Sequence, residues 1–359
     1  MTKRTTASWV ALFWAVGASL IELAPMLDAL HHGKALTAVL LLGLAYQLGN
    51  GLSRWVTPRG WLITVFSAGG LVGALLANTS QAAQLISIGS ISLGLQLARR
   101  ALLSQEGAPK IHVAAKRFAR VVGFVIAALI PLNLSLGVVV LSCVVACIVG
   151  SVGKDQNRGA GSLVDLFTPR SLHILMLIHQ AHYFVYAYGI VYLIYTQSDS
   201  GKVGAAVVFA LGWITYLSAE RLWGRFKNRL VFICGHLFVA ICLTGIALYG
   251  THTVVVASLW ILTGFGGGSV YCITRMAHDF SATEAKLGVW EDIGHVAGVL
   301  VAILLVTIAS FSAASLAVPG ALLALIAATR MLYEKRAASS LLNTSRRYDD
   351  SIERKRDVL

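Results

Sequence analysis

Charge is in short supply in this chain. Only 13% of its 359 residues are Asp, Glu, Lys or Arg, roughly half the share found in ordinary soluble domains. Acidic residues are the scarcer kind, 16 against 29 Lys plus Arg. With 57% hydrophobic residues and a mean hydropathy of +0.75, the composition excludes a soluble globular domain. Cysteine is sparse too: Cys143, Cys147, Cys234, Cys242 and Cys272 all lie inside apolar runs, and none forms a C-x-x-C pair. They read as buried small hydrophobes, so disulfides and thiolate metal sites are not indicated. The chain has no Walker loop, which removes the basis for ATP-driven pumping. It also lacks a small-residue cleavage site after its first apolar run, and that run carries Glu22. We read it as a retained span rather than a signal peptide.

What is present is a series of apolar runs near 8–30, 35–53, 61–79, 82–102, 118–134, 136–153, 173–197, 203–220, 230–250, 253–275, 287–310 and 314–333. Crossing the hydrocarbon core takes about 20 apolar residues in a helix. The pattern predicts an all-α membrane protein with twelve transmembrane helices. All but two of the 29 basic residues, Lys34 and Lys202, sit in every second gap between the runs, at the run ends on that same side, or in the terminal segments. Basic loops stay in the cytoplasm, so both termini are expected inside, in a bacterial inner membrane. The net charge of +13 is spread over loops facing one compartment, which suits anionic membrane lipid and not nucleic acid.

The runs divide into two sets. Residues 1–153 hold the first six, 154–172 form a polar cytoplasmic linker, 173–333 hold the second six, and 334–359 make a basic tail. The sets echo each other. Arg54 and Arg221 follow the second run of each set, 167 positions apart, and Ala115-Lys116 and Ala285-Lys286 lie 170 apart. Similar offsets favour a duplicated six-helix unit in two pseudo-symmetric bundles. At these residues the chain resembles the major facilitator superfamily. That family carries an acidic-basic pair followed by Gly-Arg in the tight loop after the second span of each half. Glu220-Arg221 with Gly224-Arg225 follows this pattern; in the first copy Ser53 stands where the acid is expected. The resemblance implies a gating role for Arg54, Glu220, Arg221 and Arg225. Gly264-Phe-Gly-Gly-Gly-Ser-Val-Tyr271 and Ser281-Ala-Thr-Glu-Ala-Lys-Leu-Gly288 resemble the family's tenth span and following loop. Because these glycines fall in an apolar helix with no preceding strand, they read as close helix packing rather than a dinucleotide loop.

Polar residues inside spans are costly and therefore informative: an ionised carboxylate at mid-membrane costs at least about 2.5–3.5 kcal/mol. Glu22 lies fourteen residues into the first run, about 21 Å along it, in the outer half, and is expected to titrate protons. In the seventh run His179, His182, Tyr183 and Tyr186 share a sector of about 100°, a polar face suited to substrate. In the eleventh, Glu291 and Asp292 stand four and three residues before His295 and are expected to hold and charge its imidazole, completing a proton-coupling set. The resemblance places both histidine groups near a central path. Three readings remain open for them: substrate binding with proton relay, satisfied interhelical hydrogen bonds, and direct metal binding by His-x-x-His with Glu and Asp. No histidine-rich loop supports a dedicated metal permease, so no metal ligand is assigned. His236 reads as a lone structural histidine, and Gln47 and Asn50 as contacts to the adjacent loop. Pro131 stands where efflux members of the family have Gly-Pro, with Ile130 in place of the glycine.

The expected function is secondary active transport by alternating access. A monomer without cofactors would export a small polar or amphipathic metabolite or drug, including a metal-chelating one, against protons. Export is favoured because no sugar-porter pattern is present. The alternatives are proton-linked uptake, a membrane acyltransferase using His295 with Glu291, and a non-transporting assembly factor.

Overall fold

In the computed structural model the described residues are 3–76, 80–103, 113–150, 171–223, 226–266, 272–274, 276 and 284–333, with the backbone alone for 3–8, 76, 102–103, 113–114, 116–117, 149–150, 217, 220–223 and 284–286. No strand occurs among them. Helices α1 (Lys3–His31), α2 (Leu36–Leu52), α3 (Gly60–Leu76), α4 (Gln81–Leu103), α5 (Val113–Leu129) and α6 (Leu132–Gly150) precede α7 (Ser171–Phe184), α8 (Ala187–Gln197) and α9 (Gly201–Trp223). Then come α10 (Asn228–Leu248), α11 (Thr253–Thr263), α12 (Glu284–Ile308) and α13 (Ala317–Tyr333). Helix is what apolar sequence requires in a medium without water, because each backbone N–H and C=O is then satisfied within its own segment. Five segments are long and apolar enough to cross a bilayer: Trp9–His31, Leu36–Trp55, Ser171–Gln197, Asn228–Leu248 and Leu287–Ile308. The outside of the bundle is apolar, with Ile241, Leu248, Val254 and Ile308 each 71 to 79% exposed. That surface suits lipid, and the chain is an integral membrane protein.

Helix ends follow local chemistry. After α1, Gly33 adopts φ +68°, and the Lys34 N–H donates to the Ala29 carbonyl at 3.0 Å, a left-handed stop that glycine tolerates best. The fifth run was expected to continue to residue 134. Instead α5 ends at Leu129 and α6 begins at Leu132, because Pro131 has no N–H for α5 but can open the next helix. The tenth run was expected as one helix over 253–275. Here α11 stops at Thr263 and tightens into a 3-10 turn over Gly264–Gly266. The seventh run bends at Val185–Tyr186, with Tyr186 at φ −121° and ψ −21°. The helical ladder resumes where the Ile190 N–H donates to the Tyr186 carbonyl at 3.0 Å.

Packing places α1 at the centre of the first six helices, against α5, α6 and α4, with α3 on α4 and α6. In the second set α12 packs along α7, while α10 and α9 hold α11 between them. The sets touch mainly along α2 with α12 and α5 with α9. Glycines permit several of these approaches. A Cβ on Gly264 would stand 1.9 Å from the Thr215 hydroxyl oxygen, and one on Gly266 would stand 2.6 Å from the Gly235 carbonyl oxygen. The described part of the glycine-rich motif thus serves close packing. Linker residues 154–170, the tail from 334, Gly267 to Tyr271 and Arg225 lie outside the described residues, as do the side chains of Glu220 and Arg221.

Candidate functional site

A cavity of about 400 Å³ opens between the two helix sets, lined from α1, α2, α5, α7, α9, α10, α11 and α12. Glu22 of α1 reaches it and is only 4% exposed. Arg120 of α5 donates from Nη2 to Glu22 Oε2 at 2.6 Å. Its guanidinium carbon lies 4.4 Å from the centre of the Trp213 ring on α9. Sequence reasoning had counted Arg120 among the cytoplasmic charges. It is instead the eighth residue of α5, half-buried with its guanidinium against the carboxylate. Glu22 therefore meets α5 near the middle of that helix. Arg99 of α4 likewise places its guanidinium carbon 5.3 Å from the Trp14 ring centre.

All four residues predicted on the polar face of the seventh run, His179, His182, Tyr183 and Tyr186, line the cavity. They meet a partner that the sequence did not reveal. His236 of α10 brings Nε2 to 3.0 Å from His179 Nδ1, and its own Nδ1 bonds the Phe232 carbonyl at 2.8 Å. His182 Nδ1 bonds the His179 carbonyl. The three ring centroids form a near-equilateral triangle of 5.0, 5.1 and 5.2 Å. His236 is thus a cavity residue and not an isolated one. Tyr183 and Tyr186 pack against Trp260, itself stacked on Phe209 at 5.5 Å, which gives the cavity an aromatic wall.

The third group differs from expectation. Glu291 and Asp292 do not hold the His295 imidazole. Asp292 forms an ion pair with Arg54 at the end of α2, and Glu291 accepts from Gln180 Nε2 at 3.3 Å. His295 Nδ1 has no hydrogen-bond partner among the described residues, and its ring lies 4.5 Å from that of Phe184. Attraction between opposite charges in a poorly screened interior outweighs a bond to a neutral imidazole, so Asp292 turns to the guanidinium. The acid-histidine pair that an acyltransferase would need is absent from these contacts. Glu291 and His295 remain on the cavity wall, whereas Asp292 lies outside its lining. Gln47, expected near a loop, donates from Nε2 to the Tyr188 hydroxyl at 2.7 Å and lines the cavity with Asn50.

No protein-family model matches the sequence, and no curated protein does. Solved structures match it over nearly its whole length. The nucleoside transporter NupG superposes with a TM-score of 0.65 at 11% identity, covering 93% of this chain and 99% of that one. A bacterial homologue of the iron transporter ferroportin, in its inward-facing state, gives 0.64 at 14%, covering 92% and 98%. A D-xylose-proton symporter gives 0.60 at 13%, covering 91% and 96%. Identities this low speak for architecture alone. The helices, their order and their packing give this chain the fold of the major facilitator superfamily.

Proposed function

We propose that this protein is a proton-coupled secondary transporter. It exports a small polar or amphipathic metabolite by alternating access between two six-helix halves, 1–153 and 173–333, with twelve spans in all. The observation that carries this reading is the cavity itself: polar groups from both helix sets converge on one space inside an apolar bundle. Contact along α2 with α12 and α5 with α9 relates the sets as exchanged equivalents, and this supports the paired halves. Proton coupling is assigned to Glu22, whose partner Arg120 is free to change hold when the carboxylate is neutralised, and to Glu291 and His295 across the cavity. Substrate contact falls to His179, His182, Tyr183 and Tyr186. Arg54 with Asp292 closes the end of the cavity where α2 meets α12 and acts as a gate; Glu220, Arg221 and Arg225 serve the equivalent loop of the second half.

The test compares small molecules inside and outside cells with and without the protein, then follows the changed compound in energised vesicles. Export should be driven by an imposed proton gradient and fall at least tenfold with Glu22→Gln. Flux indifferent to collapse of the gradient would remove the coupling, and accumulation inside cells would reverse the direction.

A further inference from the structure

We infer that the cavity holds a divalent transition-metal ion as cargo, bound by His179, His182 and His236. This rests on the transport reading for its purpose but on the histidine geometry for its chemistry. The three histidines are all buried, and one nitrogen from each lies within 4.8 Å of the others. Imidazole nitrogen suits zinc, nickel, cobalt and iron, whereas magnesium and calcium prefer oxygen.

The hydrogen bonds orient these rings as a metal site requires. His236 Nδ1 donates to the Phe232 carbonyl, and His182 Nδ1 donates to the His179 carbonyl. Each bond places the ring proton on Nδ1 and makes Nε2 the accepting nitrogen, which in His236 faces His179 Nδ1. A backbone carbonyl holding the far nitrogen is the usual companion of a metal-ligating histidine. Between His179 Nδ1 and His236 Nε2 the separation is 3.0 Å. Two nitrogens at about 2.0–2.1 Å from one ion stand about 2.9–3.4 Å apart for angles of 90–110°. An ion can therefore replace the proton that His179 shares with His236, with His179 taking its proton on Nε2 instead. One nitrogen of His182 lies within 4.8 Å of the other two and would complete the set by closing the remaining distance.

Three protein nitrogens leave at least one coordination position open, the arrangement of exchangeable sites rather than closed structural ones. That opening admits water or a carboxylate of a chelating small molecule. Glu291, which accepts from Gln180 Nε2 and lines the same cavity, supplies negative charge for a dication, whereas Glu22 is already paired with Arg120.

The probe is Co²⁺, added to the purified full-length protein in detergent. We expect one saturable equivalent with intense visible bands that Zn²⁺ abolishes. His236→Gln and His182→Gln should each weaken binding by about tenfold or more, while His32→Ala, on an exposed loop, should leave it unchanged. Thermal melting of both Gln variants near the parent temperature shows that they fold, and Co²⁺ spectra of the partly loaded protein serve if one does not. No saturable Co²⁺ binding, or binding indifferent to the Gln substitutions, overturns the site. Vesicle flux of radioactive Zn²⁺ is then measured with and without citrate: movement in either arm supports the ion as cargo and tells the bare ion from the chelate. Binding without flux in either arm would overturn the cargo role and leave the transporter reading to other substrates; flux of another compound without metal binding would overturn the site and keep the transporter reading.

Discussion

Arg120 and Glu22 form a buried ion pair whose two members come from α5 and α1. Breaking such a pair by removing one partner costs about 3–5 kcal/mol, since the other charge is left uncompensated, while removing both costs far less. Glu22→Gln and Arg120→Gln should therefore each lower the melting temperature in detergent, and the double variant should regain most of the loss. Equal melting of the single variants and the parent would show that the pair carries no such burden. Of these two residues only Glu22 was legible in the sequence, because an acid within an apolar run stands out by cost alone. Arg120 sits close to the start of its run and looks like an ordinary flanking charge. His236 was missed for a different reason. Helical periodicity orders residues within one run, and its partner His179 is 57 positions away on another helix.

At the scale of helices, close approach depends on missing side chains. A Cβ on Gly49 would come 2.2 Å from the Gly89 carbonyl oxygen, at the crossing of α2 and α4, whereas one on Gly137 of α6 would meet nothing within 4 Å. Gly49→Ala should thus destabilise the protein by about 1–3 kcal/mol through overpacking. Gly137→Ala should be neutral or stabilise by up to about 1 kcal/mol through helix propensity. Melting in parallel checks both, and a neutral Gly49→Ala would mean that α2 and α4 can separate freely. The positions of the apolar runs largely foretold these helices. Their interruptions were less visible. Pro131 marked a boundary that the run lengths blurred, and the bend at Val185–Tyr186 contains neither proline nor glycine. Tertiary packing, which no local pattern encodes, decides that bend.

For the whole molecule, the pairing of Arg54 with Asp292 joins the end of α2 to the start of α12. If it gates the cavity, Asp292→Arg alone should expose the interior from the Arg54 side, and Arg54→Asp with Asp292→Arg should close it again. Labelling of Asn50→Cys in a cysteine-free background reads this directly; several-fold faster reaction is expected for the single reversal. A rate unmoved by the single change, or left high by the swap, would rule the gate out. The broad architecture was legible because lipid imposes length and polarity on every span. The partners of the charges were not, since the sequence states how many charges are buried but not which face which.

The contact between Arg120 and Trp213 has a mechanical consequence. Attraction of a cation to an aromatic face extends to about 6 Å from the ring centre and fades gradually as the cation slides across it. A charged hydrogen bond is directional and fails within about an ångström of its ideal length. Helices α5 and α9 are thus joined by a bearing, while α2 and α12 are joined by a clasp. If one helix set tilts against the other, as the proposed alternating access requires, the clasp would have to open and the bearing need only turn. On the proposed alternating-access reading, the axis of that motion would pass beside Trp213, and the cavity would change least beside Glu22 and most where Arg54 and Asp292 part.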